Sequence, residues 1–232
     1  PQENLGRDIV ATALDLDVET HEGTAVISVA KSSRIGASFE VGDLEILSVE
    51  VSSGPLRYQL QDGQLDVGIA ARKPADITVR YRFHDQSKME GALKSGATFL
   101  WPYFCGNLFP CKSDPADGLR FELSLHGVPE GQVAVYPEVI PSDAPSYMLA
   151  WAIGDYSERE LGVTDAGTSV SVYYLPGEED ILFFGRVLIF EEIAIWHNLR
   201  IAGDIGVWPL AREINLYHAQ DEARHVAFGR AL

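Results

Sequence analysis

Val10-Ala11-Thr12-Ala13-Leu14-Asp15-Leu16-Asp17-Val18 decides the reading of most of the chain. Val10, Thr12, Leu14, Leu16 and Val18 fall on one side and Ala11, Ala13, Asp15 and Asp17 on the other, the period of two expected of a strand with one buried face. Outward from this stretch the same period recurs at Leu65, Val67 and Ile69. It appears again at Ile77, Val79, Tyr81 and Phe83 with Thr78, Arg80 and Arg82 opposite, and at Leu119, Phe121, Leu123 and Leu125. Further β-rich runs lie at 44–51, 132–136, 147–153 and 169–175. Between them stand turn formers: Gly23, Asp62-Gly63, Gly91, Pro115-Ala116-Asp117-Gly118, Pro129-Glu130-Gly131 and Pro141-Ser142-Asp143. Their spacing predicts antiparallel sheets in one all-β domain over residues 1–178.

After Pro176-Gly177-Glu178-Glu179-Asp180 the texture changes, because apolar residues recur at three-to-four spacing and Pro209 is the one proline left. Residues 179–232 are therefore read as two helices. The first runs from about Ile181 to Ile201, with Asp180 as candidate N-cap and Ala202-Gly203-Asp204 as its end. The second starts near Pro209, where a missing N–H costs little.

The 232 residues include 34 acidic against 18 Lys plus Arg, a formal charge of -16, so nucleic acid and anionic membrane surfaces are excluded as default partners. The longest apolar stretch, Ile181 to Ile195, is broken by Gly185, Arg186, Glu191 and Glu192, and no membrane span is expected. The opening Pro1-Gln2-Glu3-Asn4 does not read as a secretory signal. Cys105 and Cys111, with Gly106 and Pro110 between them, are able to bridge, but in a cytoplasmic protein two buried free thiols are the expectation. No histidine or acidic residue stands close to them in sequence, so no zinc site is expected there.

Three stretches carry a resemblance. They are Ala13-Leu14-Asp15-Leu16-Asp17-Val18, the segment from Leu108-Phe109-Pro110-Cys111 through Lys112-Ser113-Asp114-Pro115 into Leu119 to Leu125, and Pro145-Ser146-Tyr147-Met148-Leu149-Ala150-Trp151-Ala152-Ile153-Gly154-Asp155-Tyr156. In order and spacing, residues 8–178 resemble the N-terminal β-domain of the aminopeptidase N family of zinc aminopeptidases. The resemblance implies a saddle of sheets flanking a separate catalytic domain. It does not bring the family's chemistry with it, since the sequence has no His-Glu-x-x-His and no Gly-x-Met-Glu-Asn. The His21-Glu22 pair is followed by Gly-Thr-Ala and reads as a surface turn. The position ten residues before Cys111, where the family's β-domain lends the active site a glutamine, is Trp101 here. Trp101, Tyr103 and Phe104 read as sheet core or domain interface.

The chemistry-bearing constellation lies on the second helix. His218, Glu222 and His225 stand at spacings of four and three, so they share one face, in line with an apolar stripe through Val207, Leu210, Ala211 and Ile214 that is expected to face inward. Two imidazoles and a carboxylate in core positions call for compensation, and a metal ion is the simplest. In an antiparallel hairpin turning near Ile205, Glu191 comes level with His218 and Glu222. Glu191 and the Glu222-x-x-His225 motif are half the inventory of a di-iron bundle, which takes one Glu from each of two helices and a Glu-x-x-His from each of two others.

Residues 187–232 also resemble the C-terminal ligand helices of the p-aminobenzoate N-oxygenase family of ferritin-like di-iron enzymes. The resemblance rests on Glu191 and on His218-Ala219-Gln220-Asp221-Glu222-Ala223-Arg224-His225. It implies a hairpin of ferritin-like type with Glu191, His218, Glu222 and His225 as iron ligands. Zinc on two histidines and a glutamate is the other metal reading. The ligand helices that complete the family's site have no counterpart upstream, where strands are read, so a homodimer or partner chain is expected to complete a four-helix bundle. The alternatives are a buried polar network of these groups with Arg224 and Arg212, or an inert fused fragment. Glu192 is read as solvent-facing and His197 as a surface or boundary histidine. The expected fold is thus mainly β, an antiparallel saddle or sandwich followed by a two-helix hairpin. The expected function is a non-catalytic aminopeptidase-like binding or scaffold module joined to a metal-binding helical segment; the alternative is a di-iron oxidoreductase completed by a second chain.

Overall fold

The computed structural model describes residues 7–100, 104–114, 117–163, 167, 169–177 and 180–231, with backbone alone for 141–143, 180–186, 225 and 227–231. The strands are Ile9–Asp17 (β1), Glu22–Val29 (β2), Ala37–Glu40 (β3), Glu45–Val51 (β4), Gly54–Pro55 (β5), Tyr58–Gln61 (β6), Gln64–Val67 (β7), Ala75–Arg82 (β8), Glu90–Ala92 (β9), Thr98–Leu100 (β10), Leu119–His126 (β11), Val133–Val135 (β12), Val139–Ala144 (β13), Ala152–Gly154 (β14), Ser157–Val163 (β15) and Ser169–Tyr174 (β16). Two helices follow, Asp180–Gly203 (α1) and Pro209–Ala231 (α2). The protein is mainly β, with sandwich-like sheets and two C-terminal helices. By compactness it divides into Pro1–Tyr156 and Ser157–Leu232, which groups the β15–β16 hairpin with the helices.

In the first unit seven strands form one sheet in the order β13-β11-β1-β2-β8-β4-β5, and β3-β7-β6 form a second. The inward sides of both sheets supply one core: Leu14 and Leu16 of β1, Ala25 and Ile27 of β2, Phe39 of β3, Leu65 of β7, Ile77, Val79 and Tyr81 of β8, and Phe121 of β11. Each large aliphatic side chain so buried contributes about 1.5–3 kcal/mol. The alternation read from sequence is what makes these strands, since every second residue has the core to enter and its neighbours have water.

Several local expectations change. Alternation carries no information about strand direction, and β1 pairs with β11 in parallel, Leu14 opposite Leu123 and Leu16 opposite Leu125. Parallel neighbours need a long connection, and residues 18–118 with β2 to β10 are that connection. The alternation puts Val10 inside, but Val10 is 53% exposed and Ile9 is 1% exposed, because an irregularity between Ile9 and Ala11 resets the register. Gly23 is not a turn residue. It lies within β2, where a Cβ would stand 2.6 Å from Cζ of Tyr81, so glycine is what lets the buried ring lie against the strand. Gly91 lies in β9, and Pro141-Ser142-Asp143 lie in β13, the sheet edge, where a residue without an N–H breaks no ladder. Residues 147–153 are not one strand but a 3-10 turn at Ser146–Met148 and then β14. Asp62-Gly63 does turn the chain, both at positive φ (51° and 73°), the two-residue hairpin form that joins β6 to β7.

The N-terminal edge of this unit is tied down by a buried arginine. Arg7 is 2% exposed, and its guanidinium donates to the carbonyls of Gly36 (2.8 Å), Ala30 (3.4 Å), Lys73 (2.8 Å), Arg34 (3.0 Å) and Ala70 (2.6 Å). Five loop carbonyls thereby gain a partner away from water, which is what permits that stretch of irregular backbone to be buried.

Candidate functional site

In the second unit α1 and α2 form a hairpin. Asp204 accepts from the Gly206 amide (2.8 Å), Val207 N–H donates to the Asp204 carbonyl (3.1 Å), and Arg212 Nε donates to the Ala202 carbonyl (2.9 Å), closing the C-terminal end of α1. One turn and a half further along α2, Asn198 Nδ2 meets His218 Nδ1 at 3.1 Å. These two ties set the register. The chain reverses at Ile205 and Gly206, where the sequence reading expected the turn, inside the Val207 N–H to Asp204 carbonyl bond.

His218 and Glu222 do converge: His218 Nε2 lies 2.7 Å from Glu222 Oε1 across one helical turn, with the imidazole 56% exposed and the carboxylate 13% exposed. Glu191 is half-buried and has an interaction of its own. Among the described residues it does not join His218 and Glu222 in a cluster of donor atoms within 4.8 Å. The side chain of His225 lies outside the described residues. Of the arginines in the polar-network alternative, Arg224 pairs with Asp221 (3.4 Å) and Arg212 with the Ala202 carbonyl, while Glu222 has a further interaction of its own. Glu192 and His197 are exposed.

Of the stripe expected to face inward, Val207 and Ala211 are half-buried and Leu210 and Ile214 are at the surface of this chain. Leu210 is 49% and Ile214 57% exposed, and on α1 Phe190 is 75% and Trp196 57% exposed. Among the described residues, α2 buries Ala219 and Val226, and α1 buries Asn198. Ala219 and Val226 stand seven positions apart on one face, and among the described residues the exposed apolar side chains of the hairpin outnumber those it buries.

A second cluster sits in the first unit. Cys105 and Cys111 are bonded to each other, not free, and both are buried. Glu40 of β3 pairs with Cys111 through both backbone bonds, Glu40 N–H to the Cys111 carbonyl (2.8 Å) and Cys111 N–H to the Glu40 carbonyl (3.1 Å). Opposed residues of such a pair put their side chains on the same face, so the Glu40 carboxylate comes against the sulfurs. The Ser113 hydroxyl donates to Glu40 Oε2, the Ser113 amide donates to Oε1 (3.3 Å), and Ser113 Oγ also lies 3.3 Å from Cys105 Sγ. Among the described residues, Glu40, Cys105 and Cys111 are the one trio of potential metal ligands whose donor atoms all lie within 4.8 Å of one another. Sequence reading found the cysteines and missed the carboxylate, because Glu40 reaches them only through strand pairing.

The remaining charged groups are structural in arrangement. His21 occupies a left-handed position (φ 57°) in the turn between β1 and β2, 3.2 Å from Asp85, while Glu22 pairs with Arg82 at 2.8 Å, so the His-Glu pair is the expected surface turn. Lys112 donates to the Arg7 carbonyl and lies 3.5 Å from Asp117 Oδ2. Burial holds the Asp117 carboxyl above its usual range, with Asp8 adding to the rise and Lys112 opposing it. Burial raises the Tyr81 phenol well above its usual value, and its hydroxyl has no hydrogen-bond partner. Trp101 and Tyr103 lie outside the described residues, and Phe104 is half-buried.

No protein-family model matches the sequence, and no curated protein does. Solved structures do match. Aminopeptidase A from Legionella pneumophila, crystallised with aspartic acid, superposes with a TM-score of 0.66 at 16% identity over 86% of this chain and 27% of that one. An M1 zinc metallopeptidase from Deinococcus radiodurans gives 0.56 at 16% identity over 79% of this chain and 53% of that one. A mutant of the latter bound to a Tyr-Ser-Ala substrate gives 0.55 at 13% identity, again over 79% and 53%. The chain thus spans between a quarter and about half the length of these proteins, and at such identities the likeness is one of fold. The β-rich part has the fold found in the N-terminal domain region of M1 aminopeptidases.

Proposed function

We propose that the β-rich part, residues 1–178, is a non-catalytic aminopeptidase-like module that binds or positions other groups, joined to a helical segment (179–232) that binds metal. The observation that carries the first half is the shared fold together with the absence of His-Glu-x-x-His from the sequence. This chain covers 53% of the M1 zinc metallopeptidase it matches, and without His-Glu-x-x-His a zinc role here would need ligands other than that motif. The chain is therefore expected not to release chromophore from simple aminoacyl substrates. Chelator-sensitive release above a no-protein control would overturn that half.

The metal-binding half rests on the convergence of His218 Nε2 and Glu222 Oε1 at 2.7 Å, a nitrogen and an oxygen donor aimed at one point where a cation can replace the shared proton. Asn198 Nδ2 donates to the other ring nitrogen of His218, and a metal on Nε2 would require the Asn198 amide to turn its Oδ1 to that position, since a ligating histidine donates its second N–H. Glu191 and His225 are the further ligands proposed, and iron is the metal their carboxylate and imidazole donors suit, with zinc as the alternative. Iron so held would activate dioxygen, which is the oxidoreductase reading of the same helices. The exposed apolar residues Phe190, Trp196, Leu210 and Ile214 favour completion of the site by a second chain, most simply a second copy forming a four-helix bundle.

Elemental mass spectrometry after anaerobic iron loading, read with sedimentation, tests this. The expected result is about two irons per pair of chains and a metal-dependent dimer, both lost in a Glu222→Ala, His225→Ala double mutant. A wild type that stays monomeric and metal-free, or a mutant that dimerises equally well, would overturn it.

A further inference from the structure

We infer that Glu40, Cys105 and Cys111 form a zinc-class metal site that is closed while the two cysteines are bridged and opens when they are reduced. A disulfide offers neither a proton nor a positive charge to a neighbouring carboxylate. Yet Glu40 is fixed against this one by two backbone hydrogen bonds to Cys111 and two contacts from Ser113, and among the described residues no cation pairs with it. A carboxylate so placed gains little from the bridged state. It gains a great deal from the reduced one, where two thiolates and one carboxylate oxygen supply three of the four ligands of a tetrahedral zinc ion.

The distances are compatible. Ligand atoms around zinc, at about 2.0–2.3 Å from the metal, lie roughly 3.3–3.8 Å apart. The three donor atoms here already lie within 4.8 Å of one another, so side-chain adjustment alone brings them to the ion. The Ser113 hydroxyl, in contact with both Cys105 Sγ and Glu40, is the nearest group to the fourth position, with water as the other occupant. Two thiolates select a soft or borderline cation over calcium or magnesium. Burial of both cysteines excludes bulk water from the metal–sulfur bonds, and half-buried Glu40 marks the side from which the ion enters.

The steps balance. A dithiol reductant gives two electrons and two protons to the Cys105–Cys111 bond and is itself converted to a disulfide, leaving two protein thiols. The divalent ion then displaces both thiol protons to solvent. Reoxidation by a disulfide of higher potential reverses the order and expels the metal, so the site reports thiol poise as metal occupancy.

The test uses the full chain, reduced with a water-soluble phosphine and freed of it under argon, and titrated with Co²⁺ alone. The expected result is a thiolate-to-cobalt charge-transfer band that saturates at one ion per chain and disappears on adding Zn²⁺. The band is absent from the oxidised chain, which serves as a folded control without free thiols, and it is unchanged in His218→Ala, which separates this site from the helical one. Glu40→Gln is expected to weaken cobalt binding by at least about tenfold while keeping a cooperative melt. If Glu40→Gln does not fold, Ser113→Ala takes its place with an expected smaller weakening. Absence of the band in the reduced chain, an equal band in the oxidised chain, or undiminished affinity in the variants would each overturn the proposal. So would a reduced chain that loses its cooperative melt and does not regain it with Zn²⁺.

Discussion

The two units of this chain face opposite physical situations. The buried core cluster runs from Ile9 to Ile153, whereas among the described residues of the second unit only Ala219, Val226 and Asn198 are buried. In the first unit sequence alternation and burial agree along β7, β8 and β11 and along β1 from Thr12 onward. In the second, Ile189, Phe190, Ile193, Trp196, Leu199, Ile214 and Tyr217 have helical spacing and remain at least half exposed. A helix whose apolar residues stay in water draws no net stability from them, since helices in proteins are held by the face they bury. The comparison teaches that the first unit has a complete core and that the second has the pieces of one.

The sharpest break of this comparison is to separate the units. A chain ending at Tyr156 is expected to melt cooperatively, because a core of this size does not depend on the helices. Residues 157–232 alone are expected to show no cooperative melt at low concentration, with thermal unfolding followed by circular dichroism in both cases. A chain ending at Gly177 locates the boundary. If it is more stable than the one ending at Tyr156 by more than about 1 kcal/mol, the β15–β16 hairpin belongs to the β module, since a two-stranded ribbon is marginal by itself. An insoluble first unit would mean that its core is not closed.

Next in size is the arginine clamp. Arg7→Ala leaves five carbonyls without their donor, and a cost of about 3 kcal/mol is expected in urea denaturation of the full chain. Arg7→Lys is expected to recover only part of it, because an ammonium cannot span five acceptors. A loss below about 1 kcal/mol for the alanine variant would show that water replaces the guanidinium without penalty.

A smaller pair of substitutions probes the packing of β2 against β8. Gly23→Ala places a methyl 2.6 Å from the Tyr81 ring and 2.8 Å from Leu16 Cδ2, with an expected cost of about 1–3 kcal/mol from overpacking. Tyr81→Phe removes a buried hydroxyl that has no partner, so it is expected to be neutral or to stabilise by up to about 1 kcal/mol. If instead Tyr81→Phe destabilises by more than this, the hydroxyl is satisfied in solution, and the two effects measured together say how far the strand can give.

How much of this was legible in the sequence follows from what each signal encodes. Gly23 reads as a turn and hides β2, but period two encodes burial, so β7, β8 and β11 and their inward residues could be read from it. It does not encode direction or bulges, so the parallel β1–β11 pair and the outward turn of Val10 could not. Pro209 and Asp180 are the first residues of α2 and α1, so both helix starts were legible locally, while the capping expected of the Asp180 side chain lies outside the described residues. The turn near Ile205 was legible too, because Gly203, Asp204 and Gly206 are local turn chemistry, and Asp204, Gly206 and Arg212 close it. The His218–Glu222 contact was legible because both lie on one helix. The Glu40 partner of the two cysteines was not, because strand pairing is non-local and nothing near Cys105 in sequence points to β3.

The smallest expected effect concerns Asp117, at the edge of the first unit's core. Its side chain is 12% exposed, and burial is the main reason its carboxyl titrates above the usual 3.8, with Asp8 adding to the rise and Lys112 at 3.5 Å opposing it. For an acid whose folded value is raised, the native state holds more protons than the unfolded state between the two values. Stability therefore falls as pH rises through that window, which begins at the unfolded value near 3.8, and is level above it. Asp117→Asn has no carboxyl to titrate, so this fall should be missing from its stability profile, while the Lys112 contact to the Arg7 carbonyl is kept. Urea midpoints of both chains from about pH 3 to about pH 7 check this, with the difference between the profiles read in place of either one alone. A difference that grows in favour of the wild type as pH rises would mean that Lys112 outweighs burial and that the sign of the shift is reversed. The carboxyl would then be one more tie to the Arg7 clamp rather than a charge the fold tolerates.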